Sequence, residues 1–98
     1  MKLLLSIAIL ATAWIPAAKA GTDVRNLANS CAICHGTDGK PPKDGIERLA
    51  GMNRKEFIDE MHELQNSGAK GHLMTYVARG FSDAEITKMA DYFSKLPK

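Results

Sequence analysis

The residues with the clearest chemical potential in this 98-residue chain stand together: Cys31-Ala32-Ile33-Cys34-His35. There are only two cysteines in the whole sequence, and both are here. Two thiols three positions apart project from the same side of a helical turn. A pair so placed has four chemistries open to it: a disulfide, a thioredoxin-like redox couple, half of a zinc site, or two thioether bonds to the vinyl groups of a haem. The histidine directly after the second cysteine separates them. In the C-x-x-C-H pattern it lies beneath the iron and supplies an imidazole nitrogen, so one short segment makes both attachments and one axial bond.

The other three chemistries fit the rest of the chain poorly. A thioredoxin-like pair sits at a strand-to-helix junction in a βαβ setting, and no stretch here alternates with the period of a strand. A zinc site usually takes four protein ligands, and no second ligand pair is spaced to match Cys31 and Cys34. A disulfide closing so short a loop constrains the unfolded chain little and leaves His35 without a role. The reading is one haem c, bound covalently through Cys31 and Cys34, with His35 as the proximal iron ligand. The sixth position then decides the behaviour of the iron. A thioether there gives a closed electron carrier, and an open site gives a gas-binding protein. Six side chains are candidates: Met52, Met61, Met74, Met89, His62 and His72. Met61 and Met89 fall on apolar helical stripes and read as core fillers. His62 falls on a polar face, and Met52 precedes a helix start. His72 and Met74 adjoin a glycine-flanked loop that is able to bring a side chain over the haem, and the pattern favours Met74 over His72 by little.

The elements that must position these residues are helical. The spacing of Val24, Leu27, Ala28, Cys31, Cys34 and His35 predicts a first helix over about residues 23–34, with its chemistry on the apolar side. Glycines and prolines make residues 36–51 a loop. Asn53 and Glu56 predict the start of a second helix with Phe57, Ile58, Met61 and Leu64 as its inner stripe, ending at Asn66-Ser67-Gly68. A short helix is predicted over Leu73 to Arg79, stopped by Gly80. Ser82 and Glu85 form a capping-box pattern for the last helix, whose inner residues are Ile86, Met89, Ala90, Phe93 and Leu96, and which Pro97 closes. The fold class is all-α, with about four helices.

Residues 1–20 read differently. Met1-Lys2 precedes a charge-free apolar run from Leu3 to Ile15, then Pro16, then Ala18-Lys19-Ala20. This is the layout of a cleaved secretory signal peptide, with residues 21–98 as the mature domain. A membrane anchor needs roughly 20 apolar residues, more than this run supplies. With Lys2 and Lys19 gone, the 13 basic side chains become 11, equal to the 11 acidic ones. A balanced mature chain offers no bulk charge for nucleic acid. The expectation is a periplasmic protein without stable membrane insertion, whose small core relies on its cofactor. Lys40, Lys43, Arg54, Lys55, Lys70 and Arg79 are candidates for a basic docking ring around the haem edge, and an ordinary solvated surface explains them as well.

Over essentially all of residues 21–98 the sequence resembles the class I bacterial c-type cytochromes. The resemblance rests on Asn26-Leu27-Ala28 leading into Cys31-Ala32-Ile33-Cys34-His35-Gly36-Thr37, on Leu49-Ala50-Gly51, on the run from Met74 to Ile86, and on Met89-Ala90-Asp91-Tyr92-Phe93. Within that group it is most similar to the haem subunit of flavocytochrome c sulfide dehydrogenase. The resemblance implies the class I cytochrome c fold, with helices packed around one covalently bound haem and the first and last helices crossing. It implies Met74 as the distal ligand opposite His35. It also implies one-electron transfer without catalysis by the chain alone, and a redox protein partner such as a flavoprotein sulfide dehydrogenase subunit. A free-standing shuttle to an oxidase is the alternative. The family often carries a proline just before the Leu-Ala-Gly stretch, where this chain has Ile46-Glu47-Arg48, so the carbonyl that orients His35 is left open by the sequence.

Overall fold

A computed structural model describes residues 23–42, 44–68 and 72–98. The expected signal peptide and two of the candidate docking lysines, Lys43 and Lys70, lie outside the described residues. Four α-helices follow in order: α1 (Val24–His35), α2 (Arg54–Asn66), α3 (Leu73–Arg79) and α4 (Asp83–Ser94). A single 3-10 turn, Thr37–Gly39, follows α1. There is no strand among the described residues, as the absence of period-two alternation predicts.

Three of the four helices begin where a side chain can satisfy unpaired amide groups. Asp23 accepts from the Arg25 amide at α1. Asn53 accepts from the Lys55 and Glu56 amides at α2. Ser82 and Glu85 form a reciprocal capping box at α4. Hydrogen bonds from the Ser82 backbone, and then its side chain, pull the Glu85 carboxyl below its ordinary pKa. Only α3 starts without a side-chain cap. The last helix stops at Ser94, three residues before Pro97. The Lys95 amide bonds back to the Phe93 and Tyr92 carbonyls, ending the helix by a tightened turn rather than by the proline.

The core forms where the helices' apolar stripes meet. Leu27 and Ala28 of α1, Phe57 and Met61 of α2, Ala78 of α3, and Ile86, Met89, Ala90 and Phe93 of α4 are all buried. The extensive helix–helix contacts are α1 with α4, α2 with α4, and α2 with α3. Thus α4 is the hub, and α3 is held mainly through α2. Phe93 stacks at a tilt on Phe57, with ring centroids 5.6 Å apart, and meets the Tyr92 ring edge-on at 5.4 Å.

Two glycines fold the segment after α1 back onto this core. Gly36 caps α1 at φ 83°, and a Cβ there would lie 2.0 Å from the Lys40 carbonyl oxygen. Gly39 has φ 73°, and a Cβ there would press on Leu49, Ala50 and Phe93 at 2.7 to 3.0 Å. The Gly39 carbonyl accepts from both the Leu49 and Ala50 amides, at 2.9 and 3.2 Å. Tyr92 donates its hydroxyl proton to Asp38 at 2.8 Å, pinning the turn to α4 and raising the phenol's pKa. The loop between α1 and α2 is therefore a tightly returned strap.

Phe93 joins α4 to both α2 and the strap, so Phe93→Ala is expected to cost about 3–5 kcal/mol of stability. Chemical denaturation of the purified protein measures it. A loss below about 1 kcal/mol would mean that α4 is not the hub of the core.

Candidate functional site

A cleft of about 520 Å³ opens between α1, the strap, α2 and α3, within the size range of small-molecule and cofactor sites. Cys31, Cys34 and His35 line it from α1. Leu49 and Met52 line it from the strap, Phe57, Met61 and Leu64 from α2, and Met74, Thr75 and Val77 from α3. Helices α1 and α3 share the cleft without sharing an extensive interface. The apolar character of the walls follows from the same helical stripes that make the core, since the stripes extend past the point where the helices touch.

The sequence places Cys31 and Cys34 in the last turn of α1, and the structure keeps them there. Both thiols are free. Cys31 is partly buried against the core and Cys34 is exposed. Burial pushes the Cys31 thiol above its ordinary pKa, and a weak contact with Ser30 Oγ at 3.9 Å offsets part of that.

His35 ends α1, and its ring donates from Nδ1 to the carbonyl oxygen of Glu47 at 2.7 Å. The acceptor is a backbone carbonyl and can only accept, so a proton resides on Nδ1, and the neutral ring carries its lone pair on Nε2. A ring with this tautomer and a fixed orientation is prepared to bind iron through Nε2. The carbonyl left open by the sequence is therefore that of Glu47, brought to His35 by the return of the strap at Gly36 and Gly39.

The six candidates for the sixth position separate in the fold. Met89 is fully buried in α4 and does not line the cleft. His62 donates from Nε2 to Asp83 Oδ1 at 3.1 Å, tying α2 to the start of α4 outside the cleft. Met52 and Met61 line the cleft as buried members of the core. His72 and Met74 both line it, His72 exposed at the start of α3 and Met74 half-buried against the core.

The described basic residues do not ring the cleft. Arg54 pairs with Asp91 at 2.5 Å, Lys55 pairs with Asp59 one turn on, and Arg79 bonds to the end of α2. Lys40 is exposed and does not line the cleft. The charged side chains along its edge are Glu47, Glu60 and Glu63. The carboxylates of Glu47, Glu56 and Glu60 lie within 4.8 Å of one another. Partial burial, then repulsion from Glu47, Glu56 and Glu63, pushes the Glu60 carboxyl above its ordinary pKa. Sequence reasoning missed this group because its members come from the strap and from two turns of α2.

The site can be compared with known proteins. No protein-family model matches the chain. Cytochrome c-553 of Nitratidesulfovibrio vulgaris is 32% identical over 90 residues, covering 88% of each chain. The cytochrome subunit of sulfide dehydrogenase of Chlorobaculum tepidum is 33% identical over 85 residues, 85% of this chain and 76% of the relative. The thiosulfate dehydrogenase electron acceptor of Thiomonas intermedia is 34% identical over 70 residues, 70% of this chain and 32% of the relative. The chain thus spans about a third of the length of the longer relatives it matches. Among the described residues no helix is long and apolar enough to cross a membrane.

The raised Glu60 carboxyl has a consequence for stability. Its ionised form is disfavoured in the fold, so the favourable contribution is complete below the ordinary carboxylate pKa and is lost as pH rises through the raised value. Glu60→Gln is therefore expected to raise the denaturation midpoint at pH 7, with the gain vanishing as the pH falls below about 4. An equal gain at both pH values would show that the fold does not disfavour the ionised Glu60 carboxyl.

Proposed function

The chain belongs to the class I c-type cytochromes, and on that premise we propose that it is a periplasmic single-electron carrier with one covalently attached haem, serving a flavoprotein that oxidises sulfide. It is an electron carrier and not an enzyme. The observation that carries the proposal is the bond from His35 Nδ1 to the Glu47 carbonyl in the wall of the cleft. It leaves one lone pair on a fixed imidazole, one residue after two free thiols.

A haem bound here supplies an iron that alternates between the ferric and ferrous states. Cys31 and Cys34 would hold it by thioether bonds, and His35 Nε2 would be the proximal ligand. Met74 is the distal ligand in this reading. Its half-buried position on the wall that α3 contributes supports it over His72, which stands exposed at the helix start. The thioether of Met74 favours the ferrous state relative to a second imidazole. The carboxylates of Glu47, Glu60 and Glu63 along the cleft edge favour the ferric state, so the chain pulls the potential in both directions. Apolar side chains such as Leu49, Phe57 and Leu64 exclude water and lower the local dielectric. His35 and Met74 would both hold the iron in either oxidation state, which would keep the reorganisation small.

The partner rests on two relatives. One is named as the cytochrome subunit of sulfide dehydrogenase, the other as an electron acceptor of thiosulfate dehydrogenase. The first covers most of both chains and favours the sulfide-oxidising flavoprotein.

Spectra of the exported protein test the proposal. The wild type is expected to show a low-spin absorption spectrum that carbon monoxide leaves unchanged, whereas reduced Met74→Ala binds carbon monoxide. A wild-type spectrum that shifts with carbon monoxide would contradict the closed carrier and move the reading to gas binding. Failure of a sulfide-reduced flavoprotein to reduce the haem would remove the partner and leave the carrier.

A further inference from the structure

Helix α3 has seven residues, well short of the roughly 12–15 at which an isolated helix becomes marginally stable in water. Its N-terminus has no side-chain cap, and Leu73 and Tyr76 are 67% and 56% exposed. Yet it carries Met74. Something outside α3 must fix it, and the polar side chains at the end of α2 do so.

The Gln65 side chain of α2 donates both amide protons to carbonyls at the end of α3. One bond goes to Ala78 O at 2.8 Å and the other to Phe81 O at 3.0 Å. Arg79 of α3 returns the favour. Its Nε donates to the Gln65 carbonyl at 3.2 Å and its Nη2 to the Ser67 carbonyl at 3.1 Å. The last turn of α2 has no basic residue of its own, so Arg79 supplies the positive charge that a helix C-terminus favours. Each helix thus caps the other's carbonyl end.

A further bond brings the latch next to Met74. Thr75 is the buried polar side chain of α3, 1% exposed. Ser67 Oγ spends its single proton on the Leu64 carbonyl at 3.1 Å. Its oxygen is left to accept from Thr75 Oγ1, also at 3.1 Å. Ser67 and Thr75 both line the cleft.

We infer that Gln65, Arg79 and the Ser67–Thr75 pair are positioning residues for the distal ligand: the reciprocal caps hold α3 on α2 and so keep Met74 on the iron. This inference rests on Met74 being that ligand. The latch sets how often Met74 leaves. Gln65→Met keeps the length of the side chain and removes both donors.

The test measures the carbon monoxide affinity of the reduced, haem-loaded full chain, together with the thioether-to-iron absorption band of the oxidised form. Apparent affinity scales with the fraction of molecules whose sixth position is open. Losing two hydrogen bonds is expected to raise it about tenfold in Gln65→Met and to weaken the band. Ile86→Val, a core change in α4 away from the cleft, serves as the control for general loosening. An affinity in Gln65→Met that rises no more than in Ile86→Val would overturn the latch. Should Gln65→Met fail to fold, Thr75→Val removes the single bond beside Met74. An increase of about threefold there supports the latch, and an unchanged affinity overturns it. Met74→Ala separates the two readings. If it leaves spectrum and affinity as in the wild type, the distal ligand is wrong; if it opens the site while the latch variants do not, only the latch falls.

Discussion

The hydrogen bond from His35 to the Glu47 carbonyl is the constraint on which the site depends. An imidazole at the end of a helix is free to rotate and to carry its proton on either nitrogen. One carbonyl at 2.7 Å removes both freedoms. That carbonyl is in place only because the strap returns to the core, with Gly36 and Gly39 adopting backbone angles that a side chain would forbid. Tyr92 and the Gly39 carbonyl then hold the turn against α4 and the rest of the strap. The orientation of His35 is therefore set by backbone geometry twelve residues downstream of it.

The other side of the cleft is built on a different principle. His35 ends a long helix that packs on α4. Met74 stands on a two-turn helix that packs chiefly on α2 and is fixed by polar side chains rather than by length. Among the described residues the extensive packing between the two sides runs through α4 and α2. A cofactor bridging them would join the halves of the fold, which is why a core this small benefits from one. In the proposed site the acidic edge and the Met74 thioether would act on the iron in opposite senses, so the potential would depend on several side chains and not on the two ligands alone.

Much of this was legible in the sequence. Leu73 to Arg79 was readable as a helix because Gly80 stops it, and the Ser82–Glu85 capping box marked the start of α4. The C-x-x-C-H motif pointed to haem c, and the chain's relatives are cytochromes c. Other features had no signature. A backbone carbonyl acceptor such as Glu47 O is independent of side-chain identity. Gln65 and Arg79 read as surface residues because their partners are carbonyls on another helix. Arg54 and Lys55 looked available for docking until Asp91 and Asp59 engaged them, the first of these from 37 positions away. Local pattern reports the face of an element, and tertiary packing decides what that face meets.

The central claim is that His35 and Met74 are the two axial ligands, and proton NMR of the reduced protein tests it most directly. A methyl group held over the face of a haem lies in the ring current and resonates far upfield of every other methyl. One methionine methyl signal so displaced, and lost in Met74→Leu, is the predicted result. The absence of any such signal, or its survival in Met74→Leu, would contradict the account and return the sixth position to His72, Met52 or Met61.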